Sequence, residues 1–129
     1  MGRPWQVVQT AEGLEAHGLD SPWSYPEVAR VPYEHWEAIR AFAADHPAWD
    51  QALEALIGLD ETPAVDPRVE AAQVALEAIA DALVDAAPIS PDGAPEPMPN
   101  EEHVRMIAAI VHVIALAKAH GTPVSAFVD

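Results

Sequence analysis

The stretch from Glu102 to His120 constrains the fold most, because it forms a helix with almost no polar side. It reads EHVRMIAAIVHVIALAKAH, and between Val104 and Ala117 only Arg105 and His112 are strongly polar. A helix that is apolar on nearly all sides has to be surrounded by the rest of the chain. We therefore predict that this segment is the central helix of a small domain.

Three earlier segments also have helical spacing of their apolar residues, at 33–46, 47–57 and 67–87. Asp66 and Pro67 give the third of them a capping carboxylate followed by proline at the first helical position. The predicted core faces contain Trp36, Ile39, Phe42 and Ala43, then Trp49, Leu53, Leu56 and Ile57, then Val69, Ala72, Leu76, Ile79 and Leu83.

The remaining segments are predicted to be short or extended. Residues 1–10 fit either a short edge strand or an apolar segment tucked onto the helices, and 11–17 fit a short helix ended by Gly18. The proline-rich segments 19–32 and 88–99 are predicted to be connectors, since dense prolines forbid a continuous helix. Asn100 is predicted to cap the last helix, Gly121 to end it, and 124–129 to form a docking tail.

These elements predict one domain covering residues 1–129 with an all-α fold. The expected architecture is bundle-like, with four main helices, an extra short N-terminal helix and proline-rich connectors. A chain of 129 residues, half of them hydrophobic, is long enough to bury a core of its own.

The charge balance narrows the classes of partner. The chain has 6 Lys and Arg against 21 Asp and Glu, a net charge of −15. This argues against direct binding to a nucleic-acid backbone, which requires clustered cations, and against anionic membrane surfaces. It favours a basic protein partner or a bound cation, although acidity on its own also serves solubility.

The compartment is predicted to be the cytoplasm. The chain has no cysteine, which excludes disulfides and thiol chemistry, and its first ten residues lack the apolar core of a signal peptide. The apolar run Val104–Ala117 is shorter than the roughly 20 residues that a membrane span needs. We expect a soluble protein.

An acidic stripe on the third predicted helix is the first candidate site. Glu70, Glu77, Asp81 and Asp85 follow one face, and no Lys or Arg occurs between Arg68 and Arg105. Like charges four residues apart cost a helix roughly a few tenths of a kcal/mol, so a cationic partner or a metal would relieve the repulsion. The plain alternative is a solvated outer face.

The aromatic residues of the first proline-rich connector are the second candidate. Trp23 and Tyr25 lie between its prolines, where they either cover the edge of the core or offer a hydrophobic anchor to a partner. We include both in the predicted partner-binding surface, together with the four acidic residues.

No metal or cofactor site is predicted from the histidines. His17, His35, His46, His103, His112 and His120 are scattered, and none forms an i,i+4 pair or an H-E-x-x-H motif. We therefore predict no cofactor and no catalytic residues.

An enzymatic alternative rests on acidic pairs. Glu34 and Glu37 form a Glu-x-x-Glu pair, and a later helix contains Glu77-Ala-Ile-Ala-Asp81, one residue longer than Glu-x-x-Asp. The pattern resembles that of MazG-type all-α nucleotide pyrophosphatases over two residues and a near match. The resemblance implies that these carboxylates hold Mg²⁺ against a polyphosphate.

The leading hypothesis is a non-enzymatic, bacterial, acidic binding protein of the inhibitor, immunity or antitoxin type. It would cover a basic surface of a partner protein. The alternatives are the magnesium-dependent pyrophosphatase and a self-assembling module, which would need a wide exposed apolar face on the central helix.

Overall fold

The computed structural model describes residues 4–10, 24–25, 28–89 and 99–128, and these residues form an α+β fold. The predicted all-α, bundle-like class is therefore wrong. Four helices are present in the described residues, as expected, but they accompany an antiparallel sheet.

The elements follow one another along the chain in a mixed order. They are β1 (Trp5–Thr10), β2 (Ser24–Tyr25), β3 (Val28–Pro32), α1 (Tyr33–Ala43), α2 (Pro47–Glu54) with a 3-10 turn (Ala55–Ile57), β4 (Leu59–Pro63), α3 (Pro67–Val84), α4 (Asn100–His120) and β5 (Pro123–Val128).

The strand order in the sheet is β2-β3-β1-β5-β4, and every neighbouring pair is antiparallel. The edge strand β2 has only two residues. Strand β1 lies in the interior of the sheet and not at its edge, with Val8 opposite Ala29 on one side and Ala126 on the other. At the other edge the register of β4 shifts between Leu59 and Thr62, as in a β-bulge.

Side-chain alternation gives the sheet one core-facing surface. Because successive residues of a strand point to opposite faces, the register aligns one set of small or β-branched residues on the same face. All members of this set are buried in the hydrophobic core: Val8, Ala29, Val31, Val124 and Ala126. Helix α4 packs on this surface, and α3 packs on α4.

The prediction that the segment around α4 is the central helix is confirmed. Its buried residues are His103, Met106, Ile107, Ala109, Ile110, Val113, Ile114 and Ala117. The helix is apolar on so many sides because it contacts β1, β3 and β5 as well as α3. The sequence pattern indicated burial correctly, but it did not distinguish a sheet from other helices as the covering layer.

Helix α4 is also the one helix of the described residues that is long and apolar enough to cross a membrane. It has 21 residues, and its most apolar window has a mean hydropathy of 1.3 with 44% of that window buried inside the fold. The core helix of a soluble protein meets the same criteria, and the fold is compatible with a soluble protein.

The predicted start of α3 and end of α4 are confirmed at the level of single atoms. Asp66 Oδ1 accepts a hydrogen bond of 2.8 Å from the backbone N–H of Arg68, with Pro67 at the first helical position. At the other end Gly121 has φ 66°, the left-handed conformation that ends many helices.

Replacing Gly121 with alanine tests this helix end. We expect the free energy of unfolding to fall by about 1 kcal/mol, because an L-residue is strained at positive φ. No atom lies within 4 Å of the position of an added Cβ, so backbone strain is the only cost. Urea unfolding measures it, with Gly58→Ala as the control, since Gly58 has equal space and a negative φ.

Several local predictions need correction. The segment 19–32 contains β2 and β3 and is not a free connector, and the predicted tail is the strand β5. Helix α3 ends at Val84 and not near 87, and Ile57 is exposed in the 3-10 turn. The predicted short helix at 11–17 lies outside the described residues.

Asn100 is the first residue of α4 and makes no capping bond to that helix. Its side chain instead closes the end of α3. The Nδ2 group donates to the carbonyl oxygens of Leu83, Ala86 and Ala87 at 3.0–3.1 Å, and Oδ1 accepts from the N–H of Ile89 at 3.1 Å. One amide therefore satisfies carbonyl groups that a helix C-terminus leaves without partners.

Candidate functional site

The acidic face, defined as Glu70, Glu77, Asp81 and Asp85, lies on the outer side of α3 and at its C-terminal cap. All four residues are exposed. Two valines share this surface: Val74 is 68% and Val84 is 69% exposed. The surface is therefore a line of carboxylates interrupted by apolar side chains.

Glu70, the first residue of the acidic face, has a cationic partner. Lys118 Nζ of α4 lies 2.8 Å from Glu70 Oε1, and it also donates to Gln73 Oε1 at 3.0 Å. The sequence-based conclusion that the stripe lacks compensation is thus wrong for Glu70. Within the part of the chain that the structure describes, no ion pair reaches Glu77, Asp81 or Asp85.

The helix itself adds to the negative potential at this end. The last turn of α3 contains no basic residue, and Asp85 occupies the C-cap position. Helix C-termini carry a partial negative charge, so cations are stabilising there and carboxylates are not. Asp81 and Asp85 therefore raise the free energy of the isolated protein slightly, and a nearby cation would lower it.

An alanine-lined groove runs beside the acidic face. Its apolar lining is Ala48, Ala52 and Ala55 from the α2 region and Pro67 and Ala71 of α3, and Gln51, Glu54 and Arg68 also line it. Because Ala71 follows Glu70 directly, the groove lies next to the Glu70 end of the acidic face, in the first turns of α3. This groove was not predicted, since it depends on the packing of α2 against α3.

The predicted aromatic anchors are Trp23 and Tyr25. Trp23 lies outside the described residues. Tyr25 lies in β2, where its backbone pairs with Val28, and nothing is described of its side chain. The role of these two aromatics stays a prediction.

The carboxylates of the enzymatic alternative do not form a metal site. Within residues 4–10, 24–25, 28–89 and 99–128, no group of three or more His, Cys, Asp or Glu side chains is arranged to hold a metal ion. Glu34 and Glu37 belong to α1, whereas Glu77 and Asp81 belong to α3. The magnesium site that this alternative requires is therefore absent from the described residues.

The self-assembly alternative required a wide exposed apolar face on the central helix. The large exposed hydrophobic residues of the described chain are Ile57, Val65, Val74, Val84 and Val128, and none of them belongs to α4. Arg105 of α4 is exposed, and its Nη1 lies 3.3 Å from Glu102 Oε1.

Two histidines meet where α1 and α4 begin, and the sequence did not single them out. His35 Nδ1 lies 3.3 Å from His103 Nε2, and His103 is completely buried. The pKa of His103 is lowered to about 4, mainly by burial and also by the neighbouring His35, while Glu102 opposes the shift. Burial also lowers the pKa of His35, against the opposing charge of Glu34.

Helical spacing is the signal that could have pointed to this pair. His103 is four residues before Ile107 on the buried side of α4, and His35 is four residues before Ile39 on the buried side of α1. Spacing alone places each ring in the core. It does not indicate that the two rings touch.

Comparisons with protein families, with curated proteins and with solved structures give no match for this chain.

Proposed function

We propose that this chain is a non-enzymatic acidic binding protein, of the inhibitor, immunity or antitoxin type, that covers a basic surface of a partner protein with the acidic face of α3. We also propose a cytoplasmic location. The observation that carries the proposal is the set of exposed carboxylates Glu77, Asp81 and Asp85, which no described cation answers.

Charge arrangement supports the proposal. Carboxylates at i,i+4 spacing repel each other, and those near a helix C-terminus also oppose the helix dipole. A basic partner removes both costs on binding. The net charge of −15 would further accelerate association with a cationic target and make it sensitive to salt.

The apolar parts of the same surface support a protein partner over a simple cation. Val74 and Val84 are exposed among the carboxylates, and the alanine-lined groove lies beside Ala71. Protein interfaces combine an apolar centre with a polar rim. A small ion would gain nothing from the valines.

The test is affinity capture on the immobilised protein from a lysate of its source cells, followed by binding measurements with the captured, purified protein. We expect a basic protein whose affinity falls at least about tenfold with Glu77→Lys and Asp81→Lys together, a loss of about 1.4 kcal/mol. The double variant Glu37→Lys and Asp45→Lys is the matched control, because it changes the net charge equally at exposed positions away from α3.

If both double variants lose the same affinity for the captured protein, binding depends only on the net charge. That result would contradict the assignment of the binding surface to α3. Affinity that is unchanged by either variant at low salt would contradict the proposed function itself.

A further inference from the structure

The His35–His103 contact connects the first turn of α1 to the first turn of α4. The ring centroids lie 5.3 Å apart and the ring planes are tilted by 53°. With the nitrogen atoms at 3.3 Å, the geometry is that of one imidazole donating a hydrogen bond to the other. The proposed partner-binding surface on α3 does not use this pair.

The surroundings decide which ring donates. His103 Nδ1 is buried and has no hydrogen-bond partner. A buried N–H without an acceptor is rarer in proteins than a buried acceptor without a donor. The proton of His103 therefore belongs on Nε2, which donates to Nδ1 of His35, and His35 carries its own proton on Nε2.

Protonation of either ring is unfavourable in this arrangement. On His103 it must bind Nδ1, which is buried among groups that offer it no acceptor. On His35 it must bind Nδ1, the atom that already accepts the bond. The hydrogen bond between the two rings can then form only in the opposite direction, with His35 Nδ1 as the donor. That requires His103 to carry its proton on the buried Nδ1 instead of on Nε2.

The electrostatic environment also disfavours a charged pair. Both histidines lie in first turns, where the partial positive charge of a helix N-terminus repels a cation. Glu34 and Glu102 act in the opposite direction.

Three cations on the surrounding elements make contacts with other groups. The guanidinium of Arg40 contacts Asp50 of α2 at 2.8 Å, and Lys118 contacts Glu70 of α3. Arg30 of β3 lies over the Trp5 ring.

We propose that the His35–His103 pair, of which His103 is completely buried, is an acid-sensitive latch, which fastens the start of α1 to the start of α4 when neutral and releases it on binding a proton. The sign follows from the lowered pKa of His103. The unfolded or released histidine binds a proton near pH 6.5, whereas the folded one does so at about 4. The latch is therefore fully effective above pH 6.5 and weakens as the pH falls towards 4.

Amide hydrogen exchange followed by NMR tests the latch. Between pH 6.5 and pH 4 we expect the protection factors of α1 to fall at least about tenfold relative to those of α3, which corresponds to one unit of unequal pKa. In His103→Gln the side-chain amide can still donate the bond to His35 Nδ1 but cannot take a proton, so most of the fall in α1 protection should disappear. His120→Asn, at an exposed position of α4, should behave like the unchanged protein.

Imidazole nitrogen shifts of the unchanged protein provide a second test that needs no variant. We expect both rings in the Nε2–H form at pH 7 and a His103 ring that titrates well below 6.5. A proton on Nδ1 of His103 at pH 7, titration of His103 near 6.5, or an equal loss of α1 protection in His103→Gln and in the unchanged protein would overturn the proposal.

Discussion

Gln6→Glu is expected to destabilise the protein by up to about 4 kcal/mol at pH 7. Gln6 is completely buried in β1, and its Nε2 donates a hydrogen bond of 2.7 Å to the carbonyl oxygen of Leu56. A carboxylate has no hydrogen to donate and would place a charge against that oxygen. Keeping the new carboxyl protonated at pH 7 costs about 4 kcal/mol, because its ordinary pKa is about 4.3.

The pH dependence of this variant has a definite sign. Burial raises the pKa of a carboxyl group, so the variant should recover stability as the pH falls and the introduced group becomes a donor. Urea unfolding at pH 7 and near pH 4.5 measures the recovery. Gln9→Glu on the opposite face of β1, at a partly exposed position, is the control. Equal losses in both variants would contradict the assigned role of the Gln6 amide.

Asn100→Asp is expected to destabilise the protein by about 3 kcal/mol, more than Asn100→Ala at about 2 kcal/mol. The aspartate keeps the acceptor for the N–H of Ile89. It replaces the donor amide, however, with an oxygen facing three carbonyl groups at the negative end of α3. Removing the side chain loses the bonds without adding this repulsion.

Urea unfolding of the two Asn100 variants at pH 7 gives the comparison directly. A negatively charged aspartate at the start of α4 is also stabilised by the helix dipole, by about 0.3–1 kcal/mol. This effect reduces the expected difference in stability between Asn100→Asp and Asn100→Ala. If Asn100→Asp proves the milder change, the dipole term outweighs the lost donors and the clamp on α3 contributes little.

The helices could be predicted from the sequence because their signals are local. Asp66 and Pro67 mark the start of a helix, because the cap involves only residues 66–68. Gly121 marks the end of a helix through its own left-handed backbone conformation. The apolar spacing of residues 67–84 and 100–120 was long enough to indicate period and burial together.

The strands could not be predicted in the same way, because each depends on a partner that is distant in sequence. Strand β4 has five residues and follows a helix stop, so its sequence resembles a loop. Prolines 26 and 32 flank β3 and forbid a helix there, but prolines at strand ends are compatible with a sheet. The segment 123–128 is apolar enough to dock, and only the presence of β1 makes it a strand.

The same distinction between local signals and distant contacts applies to the candidate sites. Helical period places Glu77 and Asp81 on one outer face of α3, as predicted. Tertiary packing produces the other two contacts. Lys118 forms an ion pair with Glu70, and His35 contacts His103, because α3 and α1 lie against α4. Sequence reasoning can assign a residue to a face, but tertiary packing decides which faces meet.

The position of β5 has a consequence for the order in which the fold assembles during synthesis. Strand β5 lies between β1 and β4, so β4 reaches the sheet only through a segment that the ribosome makes after α3 and α4. Until then β1 and β4 each present an unpaired edge, which invites association with other chains. The growing polypeptide therefore carries the strands β2, β3 and β1 separately from the single strand β4, and residues 123–128 join them into one sheet.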